Sequence, residues 1–262
     1  SFLRPTTEPI KTDMGNIRIP KLERAIDGAK TMDAFLVKAS VLERILQGDN
    51  SDFAQDDFEE KAKLWELEDR AGIAIESSTR AAKDAMLYFT SHIRAKQEVA
   101  ITVKVKGLDN SWHDKVPSVL SLGGEGRMAA VDIREDEDVL PKMPSLRIRN
   151  NKIRFTITLI TPGCIWPFIK TKDISYGMGS LIKNGYSFVP GKCVSACIGK
   201  LKQLGGFDMV MREPRPLMPI IPAGSIWFYE GDMEDIPALE RLHGKVNNPL
   251  GFNQILIGNW GD

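Results

Sequence analysis

At 262 residues, with 42% hydrophobic and 27% charged positions, the chain has the composition of a globular protein able to bury a core without metal or disulfide staples. Lys plus Arg and Asp plus Glu both total 35, a formal net charge of zero, which excludes a uniformly basic nucleic-acid coat protein but leaves room for a local basic groove. No apolar run reaches the roughly 18 residues of a membrane span, and the N-terminus lacks a charged region followed by an apolar one, so the sequence reads as cytoplasmic with no membrane partner.

Residues 1–20, with Pro5, Pro9 and Pro20, read as an extended lead-in. A helix is predicted over 31–48, where Phe35, Leu36, Ala39, Leu42, Ile45 and Leu46 recur at three- and four-residue spacing, with Thr31 or Asp33 as N-cap and Gly48 as the stop. A short helix is expected over 61–69. Strands follow at 71–76 and 85–94, linked through the turn at 77–80. Val99, Ile101, Val103 and Val105 alternate with polar residues and predict another strand over 98–106. Strands at 118–122 and 128–133 flank Gly123-Gly124-Glu125-Gly126-Arg127. The acidic, proline-containing stretch 134–146 marks a boundary, giving domains 1–140 and 141–262. Beyond it come a strand at 152–160, strands near 194–198, 207–211 and 225–230, a helix at 236–242 and a final strand before Trp260. The fold class is α+β with antiparallel or mixed sheets.

Catalytic equipment is sparse. Cys164, Cys193 and Cys197 lack framework spacing and read as reduced core thiols, the last two on one helical face. His92, His113 and His243 show no ligand spacing, so neither metal nor cofactor is expected. The acidic runs at 56–60 and 135–138 read as solvated loops. His92, near Tyr88 and Arg94, has two readings: a general base toward an RNA 2′-hydroxyl, or a polar strand residue facing phosphate or solvent. The glycine loop also has two readings, a tight hairpin turn or a backbone anion site with Arg127 as phosphate partner. Lys200, Lys202, Gly205, Gly206 and Phe207 form a second basic, glycine-bearing cluster suited to tracking a phosphate backbone. Arg70, Arg80, Lys83 and Arg94 add positive charge around the first hairpin.

Taken in order, Leu67–Ile75, Thr79–Tyr88, Leu122–Arg127, Leu204–Asp208, Arg215-Pro216, Ile221–Phe228 and Gly251–Gln254 resemble the RAMP proteins of CRISPR systems. More narrowly they resemble the Cmr-type (type III-B) subunit that caps the foot of the effector complex and holds the crRNA 5′ handle. The resemblance covers about residues 60–262 and implies a tandem ferredoxin-like (RRM-like) RAMP fold. Nothing before residue 60 matches the family's N-terminal strand and arginine motif, so the first half, over 1–140, is expected to be incomplete and to carry a helical insertion. The implied function is a non-catalytic guide-RNA-binding subunit in antiviral defence, docked on a large polymerase/cyclase-like subunit and on a backbone RAMP subunit. The segment 71–93 corresponds to the family's thumb-like hairpin, and Gly123, Gly124, Gly126 and Arg127 fall on its glycine-rich loop. The expected RNA-binding set is Arg70, Arg80, Lys83, His92, Arg94, Gly123, Gly124, Gly126, Arg127, Lys200, Lys202, Gly205 and Gly206. Asn253 stands where the family's last loop has its second glycine, against close RNA approach there. The alternatives are a metal-independent guide-RNA-processing endoribonuclease using His92, and a purely protein-binding scaffold.

Overall fold

The structure, a computed structural model, describes residues 3–12, 15–23, 27–28, 31–49, 53–123, 126–134, 139–164, 174–246 and 248–260. The fold is α+β, built from antiparallel strand pairs and few helices. It has two compact units, one made of residues 1–59 with 140–262 and the other of 60–139. They are cut differently from the expected division at 140, because the first 59 residues belong with the C-terminal part.

At the centre of the first unit is a five-stranded antiparallel sheet. Lys152–Leu159 lies between Ile226–Asp232 and Ile255–Asn259, Lys192–Cys197 pairs outside Ile226–Asp232, and Ile148–Arg149 joins the start of Lys152–Leu159. Alternation makes this strand: Ile153, Phe155, Ile157 and Leu159 share one face by the two-residue period and all four are buried. Trp227, Tyr229, Ile255 and Ile257 complete that core, under Leu181 of helix Ile174–Asn184 and Leu239 of helix Ile236–Leu242. The second helix matches its expected bounds. The first was not foreseen, since Gly177 and Gly179 break up its apolar pattern. It ends at Gly185, whose φ is +70° and whose absent side chain makes room for the Tyr229 hydroxyl; that hydroxyl accepts a hydrogen bond from Tyr186 N at 2.9 Å.

On its other face the sheet meets the N-terminal segment. Helix Ala39–Leu46 buries Val41 and Leu46, and a Cβ on Gly258 would lie 2.9 Å from the Leu46 backbone, so only glycine permits this approach. Arg18 O accepts a hydrogen bond from Ser195 Oγ at 2.7 Å. The predicted helix 31–48 thus shrinks to Ala39–Leu46, with a strand at Phe35–Val37. Thr31 donates to Asp33 at 2.9 Å and the helix starts after Lys38 without a side-chain cap, while Gly48, at φ +77°, is the stop the sequence indicated.

The second unit is dominated by a long hairpin, Trp65–Ile75 with Ala82–Ala95, running in register from Trp65↔Ala95 to Ile73↔Leu87. Near its tip the register shifts between Ile73 and Ile75, and Ala85 sits at φ +57° within the bulge. A small hairpin, Val119–Ser121 with Met128–Ala130, carries the glycine loop. Two expectations fail in this unit. The predicted helix 61–69 is a single 3₁₀ turn, Lys61–Lys63, followed by strand, because cross-strand pairing overrides local helix propensity. The predicted strand 98–106 forms no ladder; alternation alone does not satisfy backbone groups, and among the described residues no neighbouring strand pairs with it. No described side chain of 60–139 reaches the burial of the sheet core in the first unit.

Candidate nucleic-acid interface

The register of the long hairpin sorts its side chains onto two faces. Glu66↔Arg94, Glu68↔His92, Arg70↔Thr90 and Gly72↔Tyr88 lie on one, and Leu67↔Ile93, Asp69↔Ser91, Ala71↔Phe89 and Ile73↔Leu87 on the other. One face is therefore polar and cation-bearing. The other presents Leu67, Ile73, Leu87, Phe89 and Ile93, all exposed.

Glu68 organises the polar face. Its Oε1 accepts from Arg70 Nη2 at 2.7 Å and Nε at 3.0 Å, and its Oε2 accepts from Arg94 Nε at 2.9 Å. Arg127 Nη2 approaches Oε2 to 3.2 Å, an ion pair outside hydrogen-bond geometry. Three guanidinium groups thus face the Glu68 carboxylate, and with Glu66 opposite Arg94 on the same face, three Arg against two Glu leave one positive charge in excess. The hydrogen bonds from Arg70 and then Arg94 hold the Glu68 carboxyl down at about 2, so it stays ionised through the physiological range. The Arg127 side chain is 20% exposed, and its Nε and Nη2 are shielded from solvent with no hydrogen bond among the described residues.

Arg127 directly follows the glycine loop. Leu122 N donates to Arg127 O at 3.0 Å and closes the small hairpin. Gly123 and Gly126 take φ of +89° and +68°, and a Cβ on either would meet nothing within 4 Å. Here glycine serves the left-handed backbone of a tight turn, and the space above it is open. Gly124 lies outside the described residues, as does the acidic run 135–138.

His92 shares this face, directly across from Glu68 and beside Arg94; it is half-buried, 3.2 Å from Thr90 Oγ1 through Nε2. The other expected residues are not gathered here. Arg80 sits at the hairpin tip at φ +53°, its N bonded to Glu76 O at 2.8 Å, and Lys83 Nζ is 3.3 Å from Glu76 Oε2. Eight residues of strand, roughly 26 Å, separate Glu76 from Glu68. Lys200, Lys202, Gly205 and Gly206 belong to the first unit and are exposed. Glu68 was missed as a functional residue. Its signal was the i, i+2 spacing to Arg70, which shares a face only in a strand, and the segment reads locally as helix.

Among the described residues no group of His, Cys, Asp and Glu is placed to hold a metal. Cys193 and Cys197 lie on strand Lys192–Cys197 rather than on a helical face, and burial pushes both thiols up to about 11. No helix is long and apolar enough to cross a membrane among the described residues.

Among the solved structures that resemble this chain are two cryo-EM structures of the type III-B Cmr-beta complex. A chain of the complex bound to cognate target RNA is 16% identical, with 95% of this chain and 68% of that one covered and a TM-score of 0.42. The same complex with cognate target RNA and AMPPnP gives 16% identity, 95% and 69% coverage and a TM-score of 0.43. No curated protein matches the chain. The model of the CRISPR-associated protein family Cas_Cmr3 matches residues 1–260, taking in the N-terminal stretch that the sequence motifs left out, and the chain belongs to that family.

Proposed function

We propose that this chain is a non-catalytic, guide-RNA-binding subunit of a type III CRISPR ribonucleoprotein, holding the crRNA 5′ handle. The observation that carries this reading is the convergence of Arg70, Arg94 and Arg127 on Glu68. The Glu68 carboxylate cannot neutralise three guanidinium groups, but it fixes their directions, so an RNA phosphate meets donors already ordered. Family membership across residues 1–260 supports the assignment to the type III effector.

Several finer parts of the reading belong with it. Strand, helix, strand, strand, helix, strand in sequence, with spatial order Ile255–Asn259, Lys152–Leu159, Ile226–Asp232, Lys192–Cys197, is what a ferredoxin-like domain requires, and we assign that fold to the C-terminal sheet. The open turn at Gly123 and Gly126 gives a backbone path for a phosphate. In this reading Arg80 and Lys83 in the second unit, and separately Lys200, Lys202, Gly205 and Gly206 in the first, are further RNA contacts. The exposed apolar face of the hairpin suits a protein neighbour, which we take to be the large polymerase/cyclase-like subunit or the backbone RAMP subunit.

The test is to purify the effector through a tag on this chain, crosslink it, and sequence the bound RNA. Crosslinks at Arg70, Arg94 and Arg127 should map to a shared 5′ end and vanish in the triple alanine variant. Crosslinks unaffected by that variant refute the assignment. Specific cleavage of precursor RNA in EDTA that disappears in His92→Ala would establish the endoribonuclease in its place.

A further inference from the structure

Residues 98–106 have the pattern of a strand and join no ladder among the described residues. Val99, Ile101, Val103 and Val105 alternate with Ala100, Thr102, Lys104 and Lys106. Ile101, Val103 and Val105 stand in solvent at 75%, 75% and 63% exposure. A β-branched segment exposed outside a ladder is a template for pairing with another strand.

The adjacent hairpin does not fit as that strand's partner. Val99 N donates to Lys96 O at 3.0 Å, closing a turn through Gln97 and Glu98 directly after strand Ala82–Ala95. Continued as a hairpin, this turn would set Ile101 opposite Arg94 and Val103 opposite His92. Those two residues lie on the polar face, across from Glu66 and Glu68. Thr102 would meet Ile93 on the apolar face. Side chains alternate with a period of two, so that register puts every apolar residue of the segment on the wrong side.

The segment is complementary to itself. An antiparallel pairing of two copies centred on Thr102 sets Val99 opposite Val105 and Ile101 opposite Val103 on one face. On the other it sets Thr102 opposite Thr102, Ala100 opposite Lys104 and Glu98 opposite Lys106. Apolar β-branched pairs, a Thr–Thr pair and opposite charges are the cross-strand combinations that stabilise a sheet. The register is also specified. A slip of one residue sets Val99 opposite a lysine, and a slip of two leaves a valine opposite Gln97 or Gly107.

We infer that residues 98–106 are a self-association strand, pairing antiparallel with 98–106 of a second copy about a two-fold axis at Thr102. Such an interface is isologous, so the Glu98–Lys106 pair occurs at both ends of the ladder. The interaction concerns the chain outside the effector and does not depend on RNA binding. A two-stranded ribbon is marginal by itself, so the association is weak and concentration-dependent.

The experiment is sedimentation of the full chain over a series of concentrations, with amide hydrogen exchange at the two extremes. The unaltered chain should pass from monomer to dimer, and the amides of 99–106 should exchange more slowly in the dimer. E98K and K106E each place like charges opposite one another at both ends and should weaken association about tenfold. E98K/K106E restores opposite charges and should recover the association of the unaltered chain. All three variants should keep the melting temperature, because Glu98 and Lys106 are exposed. A chain that stays monomeric at every concentration overturns the inference. So does a dimer that both single variants leave unchanged, or a double variant no stronger than the singles.

Discussion

Glu68 lies in the long hairpin and Arg127 at the foot of the glycine loop, yet Arg127 Nη2 stands 3.2 Å from Glu68 Oε2. This pair joins two hairpins that share no strand ladder, in a unit whose described residues lack a core of their own. The pair ties the base of the loop to the long hairpin, and in the proposed reading a phosphate would meet a guanidinium oriented by a carboxylate.

Removing Arg127 should act on RNA more than on folding. Arg127→Ala is expected to weaken binding by about 1.5–3 kcal/mol, the range for a hydrogen bond to a charged group. It should also lower the slope of log K against log salt by about 0.7, the loss of one phosphate contact on a single strand. Filter binding across a salt series measures both, and an unchanged slope would place Arg127 away from the RNA. The depressed Glu68 carboxyl adds a pH expectation. Its ionised form is stabilised in the fold, so its contribution holds above the unfolded carboxylate range and is lost only as pH falls toward about 2. RNA binding should show no step from Glu68 near pH 4.

Gly123 separates the two readings of its loop. Asparagine tolerates φ near +60° better than other residues with a Cβ, and at Gly123 its side chain would enter open space. If the loop is only a turn, Gly123→Asn should change melting temperature and RNA affinity little. If RNA runs over the backbone there, stability should persist while affinity drops about tenfold, the loss of one good contact. The comparison is a melting curve beside a binding curve.

Legibility in the sequence followed what each element depends on. Strand Lys152–Leu159 and helix Ile236–Leu242 were readable because their own alternation or periodicity meets a core. The segment 61–69 was misread because Trp65, Leu67 and Glu68 take their conformation from partners some 25 residues later, and single-segment propensity does not contain that pairing. Val99 to Val105 shows the converse, a strand pattern without a described neighbour to pair with. Arg70, Arg94, Arg127 and the glycine loop were legible as individual cations and a turn. Their convergence was not, because it required knowing that Glu68 and Arg70 share one face of a strand.

His243 gives the first unit a pH dependence. Its Nε2 lies 2.9 Å from Pro141 O, and its Nδ1 accepts from Ile257 N at 3.0 Å, so the neutral ring with the proton on Nε2 satisfies both. Burial lowers its pKa from the ordinary value. The unfolded chain therefore binds the proton more readily. Stability is complete above the unfolded pKa of about 6.5 and falls as pH drops below it toward the folded value. Denaturant midpoints at pH 7.5 and at about 5.5 should differ in that direction, and His243→Gln should flatten the difference. A midpoint that rises on acidification would contradict the assignment of the ring as neutral.

Asn253, which the sequence resemblance sets against a glycine, has a structural role of its own. Its φ is +61°, which asparagine tolerates, and the side chain is buried. Oδ1 accepts from Cys164 N and from the Tyr186 hydroxyl, each at 3.0 Å, while Nδ2 donates to Cys164 O at 3.0 Å. The amide thus ties the loop before the last strand to the turn at 162–164 and to the residue after the first C-terminal helix. Asn253→Gly would keep the backbone conformation and remove all three hydrogen bonds, at about 1 kcal/mol each. The expected result is a loss of at least about 2 kcal/mol in denaturant unfolding. Asn253→Asp should be less damaging toward Cys164 N and the Tyr186 hydroxyl, because both still find an acceptor, and more damaging toward Cys164 O, which loses its donor. If Asn253→Gly melted like the unaltered chain, the amide would be a spectator and glycine an equivalent solution at this turn.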